Sequence, residues 1–141
     1  MAQDGAPFTV NLGTSNDVAN IGLVNGNNIE RPNVLGNPNS GPKSTQQWFN
    51  TNVFSLPSAY SFGNTPRNSV VGPGLIDVDA SLQKTWPMRD SINLQFRAEA
   101  YNLQNRPNFN LPGRIFGASN LGVVSSALDP RQMQFAMRLT F

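Results

Sequence analysis

Two pairs of charged residues are the main candidates for chemistry in this sequence. Asp77 and Asp79 stand two positions apart, as do Arg97 and Glu99. If the two segments form a hairpin, the four side chains share one face. Neighbouring carboxylates suit general acid–base catalysis or the binding of a hard cation. We favour a cross-strand charge network, because nothing in the sequence supplies a nucleophile, a tuned base or a closed pocket.

Other signs of enzymatic chemistry are weak. The sequence contains no histidine and no cysteine, which removes histidine-based triads, thiolate metal sites and disulfides. The Gly-Pro-Gly at 72–74 is not followed by the helix, Lys and Ser or Thr that a phosphate-binding loop requires. We therefore expect no enzyme activity, no bound metal and no cofactor.

Aromatic residues in the first half of the chain are candidates for binding a ligand. They are Trp48, Phe49, Phe54, Tyr60 and Phe62. On an external loop such rings can face a ligand. Of the five, we select Trp48, Phe49, Phe54 and Tyr60 as the candidates for ligand binding. The alternative is that the rings form a small core within the loop itself. We favour the small core, because the spacing of the rings matches no recognition motif.

Three segments have alternating apolar and polar residues, and two of them carry the charged residues described above. They cover residues 75–86, 91–102 and 131–141, and a period of two predicts strands rather than helices. Each segment is close to the length of about 9–11 residues that a tilted strand needs to cross a bilayer. The last apolar face carries Met133, Phe135, Met137, Leu139 and Phe141.

Residues 87–90 are expected to form the short turn between the first two strands. The apolar faces of these two strands coincide only if the residue numbers of each cross-strand pair add to an even number. The loop must then contain an odd number of residues, three or five. Lys84 lies on the apolar face beside Trp86. Both residue types suit a membrane interface, where a lysine reaches the headgroups and tryptophan forms part of the aromatic girdle.

The remaining segments are rich in Gly, Pro and Asn, which predicts turns and irregular structure. We expect residues 1–73 to form a mostly irregular extracellular loop region and residues 103–130 to form a second long loop. Outer-membrane barrels have short turns on the periplasmic side and long loops outside. The predicted fold is therefore all-β, with antiparallel strands of a transmembrane β-barrel, and Trp86, the turn and Phe141 at its periplasmic end.

The composition is compatible with this fold class. Charged residues make up only 13% of the chain and apolar residues 38%, so uncharged polar residues are abundant, as they are in barrel lumens and external loops. The ten Lys and Arg residues are scattered, which disfavours nucleic-acid binding. No signal peptide is recognised at the start, and no apolar run has the length of a transmembrane helix. We expect any export signal to lie elsewhere.

Three stretches of the sequence resemble a known family. These are residues 68–84 with Gly-Pro-Gly-Leu-Ile-Asp-Val-Asp, residues 94–109 with Asn-Arg-Pro-Asn-Phe, and residues 129–141 ending in Gln-Phe-Ala-Met-Arg-Leu-Thr-Phe. They resemble the carboxyl-terminal end of TonB-dependent outer-membrane receptors, in particular those with an amino-terminal carboxypeptidase-regulatory-like domain. The Trp-Phe-Asn-Thr-Asn-Val-Phe at 48–54 is similar to the extracellular segment that precedes those strands.

The resemblance implies a barrel of about 22 strands with a plug, which imports a scarce ligand. Three strands cannot close a barrel, so the chain is expected to be a carboxyl-terminal fragment without the plug or the energy-coupling box. Its end resembles the insertion signal of such barrels, formed by Phe135, Met137, Leu139 and Phe141.

The resemblance also implies the location and the partners. The location is the outer membrane of a Gram-negative type of cell. The partners are outer-membrane lipid, the remainder of the receptor barrel, the barrel-assembly machinery and, through other parts of the receptor, the energy-coupling complex. The alternative is a small self-assembling or soluble β-rich binding or structural module.

Overall fold

The computed structural model describes residues 1–13, 17–22, 30–89 and 91–141, with Arg89 described by its backbone alone. Apart from two short 3₁₀ turns, at Pro38–Ser40 and Thr51–Val53, regular structure in the described residues consists of strands. The strands are β1 Ala2–Gln3, β2 Pro7–Phe8, β3 Asn11–Leu12, β4 Asn33–Val34, β5 Phe54–Ser55, β6 Val70–Val71, β7 Leu75–Ile76, β8 Ala80–Arg89, β9 Ile92–Tyr101, β10 Ile115–Phe116 and β11 Gln132–Thr140. The all-β class predicted from the sequence is confirmed. No helix in these described ranges has the length and apolar character needed to cross a membrane.

The chain divides into two compact units. The strand unit contains residues 1–3, 75–108 and 128–141, and the loop unit contains residues 4–74 and 109–127. The expected boundary at residue 73 is therefore close to an observed one, but residues 109–127 were expected to belong with the last strands. They join the loop unit because their backbone bonds to it: the Asn11 N–H donates to the Arg114 carbonyl at 3.0 Å, and the Trp48 N–H to the Gly122 carbonyl at 2.8 Å.

A three-stranded antiparallel sheet with the order β11-β9-β8 dominates the strand unit. Ala80 pairs with Ala100 and Pro87 with Asn93, so the positions of each pair add to an even number. The even sum that the sequence pattern required is confirmed. The predicted loop of three or five residues was wrong, because β8 ends at Arg89 and β9 begins at Ile92, which leaves two residues between the strands. A bulge after Pro87 places Arg89 opposite Ile92 and accounts for the change of parity.

β8 differs from the expected strand at both of its ends. It extends to Arg89 and so includes most of the expected turn at 87–90, of which Asp90 lies outside the described residues. A proline is compatible with this extension because β8 is an edge strand and the bulge follows Pro87 directly. At its other end β8 begins at Ala80 instead of residue 75. Leu75 and Ile76 form the separate strand β7, which pairs with β1.

Two asparagines, Asn108 and Asn102, account for this late start. The Asn108 side chain accepts a hydrogen bond from the Ile76 N–H at 3.0 Å and donates one to the Ile76 carbonyl at 2.9 Å, so it replaces a neighbouring strand there. Asn102 has a left-handed backbone, with φ of 49°, and its N–H donates to the Asp79 carboxylate at 3.1 Å. Side-chain groups thus satisfy the backbone where the regular ladder stops. β9 and β11 lie within one residue of the predicted segments at each end.

The loop unit is organised around a small aromatic core. Phe49 is fully buried and contacts two other rings edge to face, Phe8 at 5.7 Å and Phe54 at 6.0 Å between centroids. Val10 and Val70 complete this buried cluster. Two-residue strand pairs hold the segments around it: β2 with β6, β4 with β5, and the parallel pair β3 with β10. A region expected to be mostly irregular therefore has short strands and a core.

Replacing Asn108 with alanine tests the role assigned to its amide. Asn108 is 3% exposed, so the Asn108→Ala variant leaves the Ile76 N–H and carbonyl without their partners at a cost of about 1–3 kcal/mol. We expect hydrogen exchange at Ile76, measured by mass spectrometry, to accelerate by roughly 5–150-fold. Asn52→Ala is the matched control, since Asn52 is exposed and its side chain makes no hydrogen bond within the described residues. Equal exchange in both variants would show that Asn108 does not hold this strand.

Candidate functional site

The three long strands form a continuous apolar face. In the observed register Leu94, Phe96, Ala98 and Ala100 of β9 each lie between one residue of β8 and one of β11. Phe96 and Phe135 also stack, with centroids 6.4 Å apart and planes inclined by 24°. The rows across the sheet are Ala80–Ala100–Met133, Leu82–Ala98–Phe135, Lys84–Phe96–Met137 and Trp86–Leu94–Leu139.

Large apolar side chains on this face are exposed. Phe135 is 64% exposed and Met137 is 74% exposed, and Leu82 on β8 is also 64% exposed. Single exposed apolar residues are common on soluble proteins, whereas a contiguous apolar patch marks an interaction with a partner or a membrane. The register therefore builds one apolar surface from three separate strands, and that surface needs an apolar environment.

The opposite face of the sheet is polar. Its rows are Ser81–Glu99–Gln134, Gln83–Arg97–Ala136 and Thr85–Gln95–Arg138. Arg97 and Glu99 form an ion pair with 2.5 Å between Nη2 and Oε1. Because the Arg97 side chain is 55% exposed, this pair contributes little, about 1 kcal/mol or less. A sheet with one apolar and one hydrophilic face suits a wall between lipid and water.

The structure divides the predicted charge network into two parts. Arg97 and Glu99 pair within β9, whereas Asp77 and Asp79 precede β8 and form no salt bridge with either of them in the described parts of the chain. Asp79 accepts the Asn102 N–H instead, and one buried Asp77 carboxylate oxygen has no hydrogen-bond partner. The shared cross-strand face was predicted wrongly, because the ladder that would extend it ends at Ala80. Among the described residues no group of three or more acidic side chains is placed to hold a metal ion.

The predicted ligand-binding aromatics also separate into two groups. Phe49 and Phe54 are buried in the core of the loop unit, which agrees with the small core favoured from the sequence and corrects their alternative role as ligand contacts. Trp48 packs against that core, its indole N–H donates to the Val71 carbonyl at 3.0 Å, and Lys43 Nζ lies 5.6 Å from its ring centroid. Tyr60 is 80% exposed, and ligand contact by Tyr60 stays a prediction.

The sheet has two unpaired edges. Within the described residues only β9 has a long strand on both sides, while β8 and β11 each pair on one side. In a bilayer every unpaired backbone N–H and carbonyl costs several kcal/mol, because no water satisfies it. The end of β11 lies beside the β8–β9 turn, since Thr140 pairs with Asn93, and Phe141 is 91% exposed there. Trp86, the turn and the last residue therefore occupy one end of the sheet.

A family model for an outer membrane beta barrel domain matches residues 1–134. The chain belongs to this family. Searches of curated proteins and of solved structures return no match. Membership of the outer-membrane barrel family explains the two-faced sheet: the polar face lines the lumen, the apolar face contacts membrane lipid, and the protein is located in the outer membrane.

Two residues that position this barrel wall were not found from the sequence. Asn102 and Asn108 are almost fully buried polar side chains that end the ladder between β8 and β9. Asn102 Nδ2 also donates to the Arg106 carbonyl at 3.0 Å and its Oδ1 accepts the Arg106 N–H at 3.1 Å. The signal was present in the Asn-Arg-Pro-Asn motif at 105–108, which predicted only a turn.

Arginine substitutions on the two faces test the lipid-facing assignment. Phe135→Arg places a charge on the apolar face near the middle of β11 and is expected to destabilise the inserted state by about 2–4 kcal/mol. Gln134→Arg is the matched control, because Gln134 faces the lumen opposite Glu99. The protease-resistant protein in outer-membrane fractions, quantified by immunoblot, should fall for Phe135→Arg alone. Equal loss in both variants would contradict the assignment of the faces.

Proposed function

We propose that this chain supplies the carboxyl-terminal strands of a TonB-dependent receptor that imports a scarce ligand through the outer membrane. Membership of the outer-membrane barrel family supports the barrel. The resemblance of residues 68–84, 94–109 and 129–141 supports the receptor type, in particular the group with a carboxypeptidase-regulatory-like domain. The observation that carries the proposal is the sheet β11-β9-β8, with one aligned apolar face and a terminal aromatic residue.

In this proposal each part of the chain has a separate task. β8, β9 and β11 form a section of the barrel wall, and the loop unit belongs to the extracellular surface. The free edges of β8 and β11 pair with other strands of the same receptor, since barrels close only with about eight strands or more. The energy-coupling complex acts through a plug that other parts of the receptor provide.

The end of β11 is the proposed insertion signal. Phe135, Met137, Leu139 and Phe141 stand at alternating positions on one face and are all exposed. The free edge of β11 can add to a strand of the barrel-assembly machinery through backbone hydrogen bonds, and alternate side chains then provide specificity. Assembly thus uses the same edge that later closes the barrel.

A second candidate function is a self-assembling β module. The two unpaired edges favour it as well, because strands of other copies can complete the barrel. Light scattering of the detergent-purified protein separates the two candidates: a closed ring has the mass of several copies. The reading frame upstream of Met1 provides a second test, since a continuous frame that encodes a plug and further alternating strands supports the receptor. An in-frame stop codon directly upstream contradicts it.

Deleting Phe141 tests the insertion signal in the receptor. Burying one phenylalanine side chain contributes about 1.5–3 kcal/mol, so the deletion should reduce outer-membrane insertion by roughly 10–100-fold. Phe141→Tyr keeps the aromatic ring and should insert nearly normally. Insertion is measured as the fraction of newly synthesised protein that becomes protease-resistant in the outer membrane. If the deletion inserts as well as the unaltered protein, Phe141 is not part of the signal.

A further inference from the structure

The loop unit contains a cavity of about 450 Å³ that none of the roles above uses. Its volume lies within the range of about 300–1,000 Å³ that is typical of ligand sites. Three arginines line it, Arg31, Arg67 and Arg114, together with Glu30 and Phe62. The cavity lies wholly within one compact unit.

The short segment of residues 9–12 forms hydrogen bonds with each of the three parts of the chain that carry Arg31, Arg67 and Arg114. The Asn11 N–H donates to the Arg114 carbonyl at 3.0 Å, and the Leu12 N–H donates to the Glu30 carbonyl, next to Arg31, at 2.9 Å. The Thr9 hydroxyl accepts the N–H of Asn68, which follows Arg67, at 2.8 Å. Residues 9–12 thus bring arginines that are far apart in the sequence to one cavity.

Among the described residues, those that line this cavity carry more positive than negative charge. Glu30 is 4% exposed, and its two carboxylate oxygens accept the N–H groups of Val18 and Ala19 at 3.0 Å each. Arg31 is oriented by a bond from Nη1 to the Thr65 carbonyl at 2.8 Å. Arg67 and Arg114 are exposed and form no salt bridge within the described parts of the chain. Three arginines therefore line the cavity together with one carboxylate, to which backbone amides donate hydrogen bonds.

An aromatic ring stands beside this positive charge. Phe62 is 70% exposed, and its neighbour Gly63 packs closely against the chain at Arg31. A Cβ added to Gly63 would lie 2.0 Å from the Arg31 carbonyl oxygen, so only glycine permits this approach. Ile21 also lines the cavity. The site thus offers an apolar surface next to donors for an anion.

We propose that this cavity binds a small organic oxyanion whose apolar part lies against Phe62. Guanidinium groups bind phosphate and carboxylate oxygens through pairs of parallel hydrogen bonds, which are stronger than neutral ones. The proposal is independent of the receptor function, because every residue that forms the site belongs to the loop unit. It holds equally if the barrel is completed by other copies of the chain.

Arginine modification tests the site in the protein as it stands in outer-membrane preparations. Phenylglyoxal modifies accessible arginines, and peptide mass spectrometry reports each position. Phenyl phosphate is the probe, and sodium chloride at matched ionic strength controls for screening of charge. We expect phenyl phosphate to slow modification of Arg67 and Arg114 by at least about tenfold at saturation. Arg106 and Arg131, which are exposed and belong to the strand unit, should react unchanged.

Several outcomes would overturn the proposal. Uniform protection of all arginines, or equal protection by sodium chloride, would show that there is no specific anion site. If inorganic phosphate protects as well as phenyl phosphate, the role assigned to Phe62 is wrong. In a separate experiment, vesicles of anionic phospholipid replace phenyl phosphate as the protecting agent. Protection by vesicles at a lower phosphate concentration than phenyl phosphate supports an oxyanion site whose ligand is a lipid headgroup, whereas protection by phenyl phosphate alone supports a free ligand.

Substitutions provide an independent check. The double variant with Arg67→Gln and Arg114→Gln should weaken phenyl phosphate binding, measured by equilibrium dialysis, by about tenfold or more, because it removes two guanidinium groups that can form charged hydrogen bonds with the probe. The matched control replaces Arg106 and Arg131 with glutamine and removes the same total charge. Equal weakening in both double variants would show that net charge alone explains the binding, which would contradict the proposal.

Discussion

The pairing of β9 with both of its neighbours is the constraint on which the barrel wall depends. Side chains alternate between the faces with a period of two, so a slip of one residue would move every apolar side chain of a strand to the lumen. The observed registers on both sides of β9 align Leu82, Ala98 and Phe135 in one row. Each strand alone is an ordinary amphipathic segment, whereas the three in register form a surface that requires lipid.

Where this ladder ends, side-chain amides satisfy the backbone. Asn108 bonds both polar groups of Ile76, and Asn102 adopts a left-handed conformation that few other residues tolerate. These two buried residues pair backbone groups at the point where the chain leaves the regular sheet. They also explain why Asp77 and Asp79 lie apart from the ion pair on β9, since the sheet face that would have joined the four residues stops before them.

The loop unit shows how an asparagine- and proline-rich segment becomes ordered. Strand pairs of two residues cannot be stable alone, but Phe8, Phe49 and Phe54 pack edge to face and bury the apolar surface that holds them. Residues 109–127 complete this unit through backbone bonds and through Phe116 and Leu121, which pack against its core. The same packing leaves a cavity lined with arginines, so order and a candidate binding site arise together.

The amino-acid sequence by itself determined the all-β class, the extents of β9 and β11, the polar and apolar faces, and the parity of the hairpin register. These features follow from a period of two that each strand carries locally. Tertiary contacts decided that β8 begins at Ala80, that residues 109–127 join the loop unit, and that Arg31, Arg67 and Arg114 line one cavity. Those outcomes depend on contacts between residues tens of positions apart, which no local pattern encodes.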